Sequence, residues 1–136
     1  MKKIIISFLL IGCFSSLGWS QEKPVQTKTV KPDGTVVINT TTIGKNILGF
    51  NDITPVEIYI KGGKVSSIKA LPNSESPEYF DLVLSSKLLS KWNGLTPSAA
   101  ADKKVDAVSG ASYSSKAIIG NVKAGLKYAK EHPGSK

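Results

Sequence analysis

Two alternating runs, Val56-Glu57-Ile58-Tyr59-Ile60 and Lys64-Val65-Ser66-Ser67-Ile68-Lys69-Ala70, stand on either side of Lys61-Gly62-Gly63. No other feature restricts the fold of this 136-residue chain as strongly. Successive side chains of a strand point to opposite faces, so each run gathers its apolar residues on one side, and glycines supply the backbone freedom of a tight hairpin turn. The sequence therefore predicts an antiparallel hairpin with an apolar face that needs a cover. A cover is encoded near the other end of the chain, where Ile118, Val122, Leu126 and Ala129 recur at spacings of four and three. Lys116, Lys123, Lys127 and Lys130 fall on a different face of that helix, and Pro133-Gly134 ends it.

The remaining elements are read the same way. After a Pro32-Asp33-Gly34 turn, residues 35–43 are dense in β-branched side chains and predict a further strand. Ser76-Pro77-Glu78 combines a cap residue, a proline at the first helical position and an acid in the first turn, which predicts a helix reaching Trp92 before Asn93-Gly94 stops it. Its apolar face is Phe80, Val83, Leu84 and Leu88, widened by Leu82, Leu89 and Trp92. Residues 96–101, rich in Thr, Pro, Ser and Ala, read as a loop. The expected fold class is α+β: a small antiparallel sheet with two main helices packed on it.

Residues 1–20 read as a signal peptide, because Lys2-Lys3 precede an apolar run from Ile4 to Gly12 that is too short for a membrane span. Gly18-Trp19-Ser20 fits ordinary signal cleavage and an exported protein, periplasmic or secreted. Leu10-Ile11-Gly12-Cys13 resembles a lipobox and implies the alternative of a lipoprotein anchored through Cys13. Residues 21–33 are expected to form a mobile N-terminal arm, 34–132 the folded domain and 133–136 a tail.

The inventory of reactive side chains excludes several functions. With one His and one Cys the chain cannot supply a zinc cluster or a disulfide framework, and its one His, His132 in the terminal tail, is poorly placed for a Ser/His/Asp triad. The net charge of +8 comes from 18 Lys and no Arg against 10 acids, and aromatic residues make up 7%. Without Arg for bidentate base and phosphate contacts, and with few rings for stacking, no nucleic acid is expected as a partner.

One segment carries candidate chemistry: Asp106-Ala107-Val108-Ser109-Gly110-Ala111-Ser112-Tyr113-Ser114-Ser115, directly before the last helix. It can be a capped helix start, since Ser accepts backbone N–H bonds and Gly and Ala permit a turn. It can also be an anion site, since a helix N-terminus offers unpaired N–H groups and partial positive charge. On that reading the Ser112 hydroxyl lies at a phosphate and Lys116 adds a cation one turn along. A hydrolase elbow is excluded, because the second Gly of G-x-S-x-G is missing and no usable His exists.

Asp106-x-x-Ser109-Gly110-Ala111-Ser112 resembles the D-x-x-[S/T]-G-A-[T/S] motif of the FMN-binding domain family, found in the flavin-carrying subunits of the Rnf and sodium-pumping NADH:quinone oxidoreductase complexes. The hairpin around Lys61-Gly62-Gly63-Lys64 is similar to the family's hairpin, and Glu75-Ser76-Pro77 to its E-T-P-G loop, with Glu78 in place of the glycine. The resemblance covers about residues 34–130. It implies FMN attached by a phosphoester to Ser112, in place of the family's usual threonine, by a separate flavin transferase of the ApbE type acting on FAD. It further implies that Asp106, Ser109, Gly110 and Ala111 complete the recognised motif, and that Ser114, Lys116 and Glu75 lie near the cofactor. Tyr79, Tyr113 and Trp92 are candidates to pack on the flavin ring, core positions being the alternative. The function so implied is an exported redox carrier, more a carrier than a stand-alone enzyme, between membrane or periplasmic redox partners. The alternative is a non-flavinylated binding or structural module of the same fold, with Ser112 serving as a helix cap.

Overall fold

The structure is a computed structural model that describes residues 25–133. The signal segment, Cys13 and the end of the tail lie outside the described residues. Four strands, β1 (Lys28–Val30), β2 (Val36–Asn39), β3 (Val56–Lys61) and β4 (Lys64–Ala70), form an antiparallel meander in the order β1-β2-β3-β4. The helices are α1 (Pro77–Ser85), α2 (Pro97–Asp102) and α3 (Ser112–Glu131). Sheet and helices give the α+β class that the sequence implied. No helix among the described residues is long and apolar enough to cross a membrane.

Register places Ile38 opposite Ile58, and Ile58 opposite Ile68, so one apolar row crosses three strands on the covered face. The hairpin turn has positive φ at both Gly62 (61°) and Gly63 (78°), the combination that matches a tight turn to the twist of its strands. Within β4, Val65 and Ile68 are three residues apart, a spacing that strict alternation would send to opposite faces. A register shift at Tyr59/Ile60 resolves the conflict, pairing Tyr59 with Ser67 but Ile60 with Val65, and both Val65 and Ile68 are buried. The bulge absorbs the extra residue.

The α3 helix covers this face, with Ile118, Val122 and Leu126 fully buried. Contact is closest at Gly125, where an added Cβ would lie 2.5 Å from Ile58 Cδ1 and 2.9 Å from Thr40 Cγ2. A Gly125→Val change is expected to destabilise the domain by about 1–3 kcal/mol in urea unfolding, because the overpacking outweighs any gain in helix propensity. A buried polar bridge fixes the same contact. Thr40 Oγ1 donates to Asn121 Oδ1 (2.8 Å) and accepts from Val56 N (2.9 Å), while Asn121 Nδ2 donates to the Ala117 carbonyl (2.9 Å).

Four local expectations are corrected. The strand expected over residues 35–43 ends at Asn39, whose Oδ1 accepts from Thr41 N (2.9 Å) as the chain turns. Residues 28–30 form an edge strand rather than part of a mobile arm, because ladder bonds use the backbone and do not require an apolar pattern. Lys28 Nζ also donates to the carbonyl of His132 (3.0 Å), at the negative end of α3. In the preceding turn Asp33 Oδ1 accepts from Thr35 N (2.9 Å), which holds the Asp33 carboxyl below the usual carboxylate range.

The predicted helix from Ser76 to Trp92 instead ends at Ser85. Lys87 adopts φ 61°, and a 3₁₀ turn spans Leu88–Ser90. Ser86 competes with the helix by donating from Oγ to the Val83 carbonyl (2.6 Å) and accepting from Leu88 N (3.3 Å). The break lets Val83, Leu88 and Trp92 all be fully buried in one core; in a straight helix Val83 and Trp92, nine residues apart, would point to opposite sides. Leu84, assigned to the buried face, is exposed together with Leu82.

Residues 97–102, overlapping the segment 96–101 read as a loop, form α2. Thr96 Oγ1 caps it by accepting from Ala99 N (3.2 Å), with Pro97 at the first position.

Candidate functional site

The turn before α3 sorts the four serines into different environments. Gly110 has φ 86°, and Ala111, whose methyl group caps nothing, occupies the N-cap position. Ser115 is buried and structural: its Oγ donates to the Ala111 carbonyl (2.8 Å) and accepts from Val108 N (2.9 Å). Ser114 is buried as well, and its hydroxyl donates to Glu75 Oε1. Ser109 and Ser112 are exposed. Ser112 is the first residue of α3, and among the described residues its hydroxyl makes no hydrogen bond. Nor do the backbone N–H groups of Ser112, Tyr113 and Ser114 meet a protein acceptor, as expected for the first turn of a helix without a side-chain cap.

Glu75 organises the wall that faces this turn. It is 7% exposed, and besides Ser114 it accepts from Phe50 N at Oε1 (3.1 Å) and from Asn51 N at Oε2 (3.4 Å). The approach requires Gly49, since a Cβ there would lie 2.6 Å from both Glu75 Oε2 and Thr54 Oγ1. One carboxylate thus ties the 49–53 loop to the start of α3. Phe50, held by that loop, lies 6.0 Å from the ring of Tyr79 on α1 and 6.1 Å from that of Tyr113 on α3. These three rings, with Gly110, Ala111 and Ser112, border a cleft of about 320 Å³ in which no lining side chain is charged. Phe50 (54%), Tyr79 (41%) and Tyr113 (68%) keep large exposed areas, which is unusual for aromatic residues and typical of a surface that receives a partner or ligand.

Replacing Glu75 with alanine leaves three donors without their acceptor: the buried Ser114 hydroxyl and the part-buried amides of Phe50 and Asn51. The expected result is a loss of about 2–3 kcal/mol of stability and faster hydrogen exchange at the Phe50 and Asn51 amides, measured by exchange mass spectrometry.

The structure gathers some of the candidate residues and separates others. Gly110, Ala111, Ser112 and Ser114 line the cleft, and Glu75 adjoins it through Ser114. Asp106 and Ser109 are exposed and line a different depression, together with Lys91, Lys103 and Lys104. Lys116 is exposed on α3 and is not among the residues lining the cleft. Trp92 is fully buried and is a core residue, whereas Tyr79 and Tyr113 stand at the cleft. Phe50 escaped sequence reading. Its only signal is an aromatic side chain within the turn-forming Gly49-Phe50-Asn51-Asp52, where burial is not expected. A larger cavity of about 450 Å³ lies at the opposite end of α3, near Ala129 and His132, and contains none of the motif residues.

The model of the FMN-binding domain family matches residues 49–127, more than half of the chain, and the chain belongs to that family. The match opens at Gly49, the residue that admits Glu75 against the loop, and closes within α3. No curated protein and no solved structure matches the chain.

The residues present fit FMN. Unpaired N–H groups at a helix start suit its phosphate, and three exposed rings around an uncharged cleft suit its apolar ring system. Gly110, at the border of the cleft, is required by its backbone, since φ 86° is a conformation that residues with a side chain rarely adopt.

Proposed function

We propose that this protein is an exported carrier of electrons whose FMN is joined to Ser112 by a phosphoester. The observation that carries the reading is the state of the Ser112 hydroxyl: exposed, without a partner among the described residues, and on the first residue of α3 beside N–H groups that meet no acceptor there. A helix cap would use its hydroxyl, and here the cap position belongs to Ala111. That contrast favours a modified serine over a purely structural one.

Attachment is a transfer from FAD made by a flavin transferase of the ApbE type. Ser112 Oγ forms a bond to the phosphorus on the riboflavin side of the FAD diphosphate, the bond from that phosphorus to the bridging oxygen breaks, and AMP leaves. The serine proton passes to the transferase or to solvent. The bound flavin supplies the redox chemistry. This chain's residues anchor it and shape its surroundings: the amides of Ser112, Tyr113 and Ser114 meet the phosphate, and Phe50, Tyr79 and Tyr113 flank the ring. Neither acid nor base chemistry is required of the protein, which agrees with an inventory of one His and one Cys.

Export is supported by Lys2-Lys3 and the apolar run after them, followed by Ser20 or, for a lipoprotein, Cys13. Outside the cytoplasm a dissociating FMN is lost by dilution, and a covalent tether maintains a high local concentration. The redox partners are then membrane-bound or periplasmic.

Co-expression with a flavin transferase tests the reading. The intact mass should rise by one FMN less one water, and yellow colour should persist through denaturation. An unmodified mass, under conditions that label a threonine-bearing member of the family, would refute it.

A further inference from the structure

Asp106 and Ser109 belong to the same short motif as Ser112, yet they face away from the cleft that Ser112 lines. The loop from Val105 to Ser109 forms one wall of a separate open depression of about 540 Å³. Its other walls carry three exposed lysines, Lys91, Lys103 and Lys104, against the single carboxylate of Asp106. Lys103 Nζ donates to the carbonyl of Lys91 (2.6 Å), a contact that fixes the position of its charge without neutralising it. The cleft side of the same loop has no charged lining at all. One loop therefore separates an uncharged cleft from a basic depression.

We infer that the basic depression is a docking surface for the flavin transferase, which meets it with an acidic rim. This rests on the proposal that Ser112 is flavinylated. A redox partner meets the protein after the flavin is in place, through the aromatic cleft. The transferase, by contrast, engages the loop before any flavin is present, and Ser112 is only three residues beyond Ser109. A clustered charge of one sign, next to a site that must be presented to a second protein, accelerates encounter and orients it, and salt weakens the effect.

The test compares two charge-reversal variants of the whole chain, each carrying three Lys→Glu changes. One alters Lys91, Lys103 and Lys104. The other alters Lys123, Lys127 and Lys130, exposed on α3 and outside the depression. Both are incubated with FAD and purified transferase over a range of salt concentrations, and FMN incorporation is followed by intact mass. The depression variant should label at least tenfold more slowly at low salt and lose most of the salt dependence seen with wild type. It should still reach one FMN per chain at high transferase concentration, with an unchanged melting temperature. The α3 variant should label at close to the wild-type rate. Equal slowing of both variants, or a wild-type rate for the depression variant, would overturn the docking surface and leave flavinylation standing. Absence of labelling in the wild-type chain would instead overturn the carrier reading, and this inference with it. A depression variant with a lowered melting temperature is replaced by single Lys→Gln changes, whose combined slowing should be smaller but of the same sign; no slowing in any of them also overturns the surface.

Discussion

Ser112→Ala should abolish covalent flavin completely while leaving the fold almost untouched. The expected loss is all-or-none, because no phosphoester forms without an oxygen to accept the phosphorus. The expected cost in stability is within about 0.5 kcal/mol, since the hydroxyl has no partner among the described residues and alanine is well tolerated in a helix. Intact mass and urea unfolding on the same preparation measure both. The neighbouring serines provide the contrast. Ser115→Ala removes two bonds that close the turn, so it should cost about 1–2 kcal/mol and slow labelling only through that loss of order. Persistent labelling of Ser112→Ala would relocate the attachment to Ser109, the other exposed serine of the motif. Ser112→Thr should label at least as fast as wild type, because the added methyl group restricts χ1 and preorganises the hydroxyl.

The second large effect concerns stability. Trp92→Ala should destabilise the domain by about 3–5 kcal/mol, a large share of the roughly 5–15 kcal/mol that holds a domain of this size. Trp92 is fully buried and belongs to one core with Val65, Val83 and Leu88. The chain just after it runs along β4, with Gly94 N donating to the Val65 carbonyl and Val65 N to the Leu95 carbonyl, both at 2.8 Å. Loss of the indole therefore weakens the sheet edge and the seat of α1 together, and the melting temperature should fall by on the order of 15–25 °C. Trp92 Nε1 has no hydrogen-bond partner among the described residues. Trp92→Phe, which keeps most of the ring and gives up no such bond, should accordingly cost only about 1–2 kcal/mol. A loss as large as that of Trp92→Ala would show that the indole nitrogen makes a contact of its own. Because α1 carries Tyr79, the alanine variant should also label more slowly near its melting range.

Much of the fold was legible where one physical signal acts alone. The hairpin follows from alternation and two glycines, and α3 from its spacing of apolar residues. The motif before α3, taken with the hairpin and Glu75-Ser76-Pro77, pointed to the family by resemblance, and the family model matches residues 49–127. Where signals compete, sequence reading failed. Apolar residues resume after Ser86 and Lys87, so the pattern suggested one long helix, but placing Val83 and Trp92 in the same core needs the break. Thr96-Pro97 is as good a helix start as Ser76-Pro77, yet the small, weakly apolar residues after it carry no period. β1 left no pattern, since an edge strand is held by backbone bonds.

For the site, the sequence by itself determined which residue types were available: a hydroxyl at a helix start, no triad, no metal cluster and no arginine. It did not determine which of four serines would be free. That was decided by tertiary contacts, because Glu75, 37 residues before Ser112 in the chain, takes up Ser114, and the turn takes up Ser115. The position of Phe50 was likewise set by Glu75 accepting the amides of the 49–53 loop, a contact across the fold that local pattern does not encode. The division of the motif between an uncharged cleft and a basic depression also arises only from folding. Spacing along the chain fixes which residues are near one another, but the twist of the loop fixes which way each one faces.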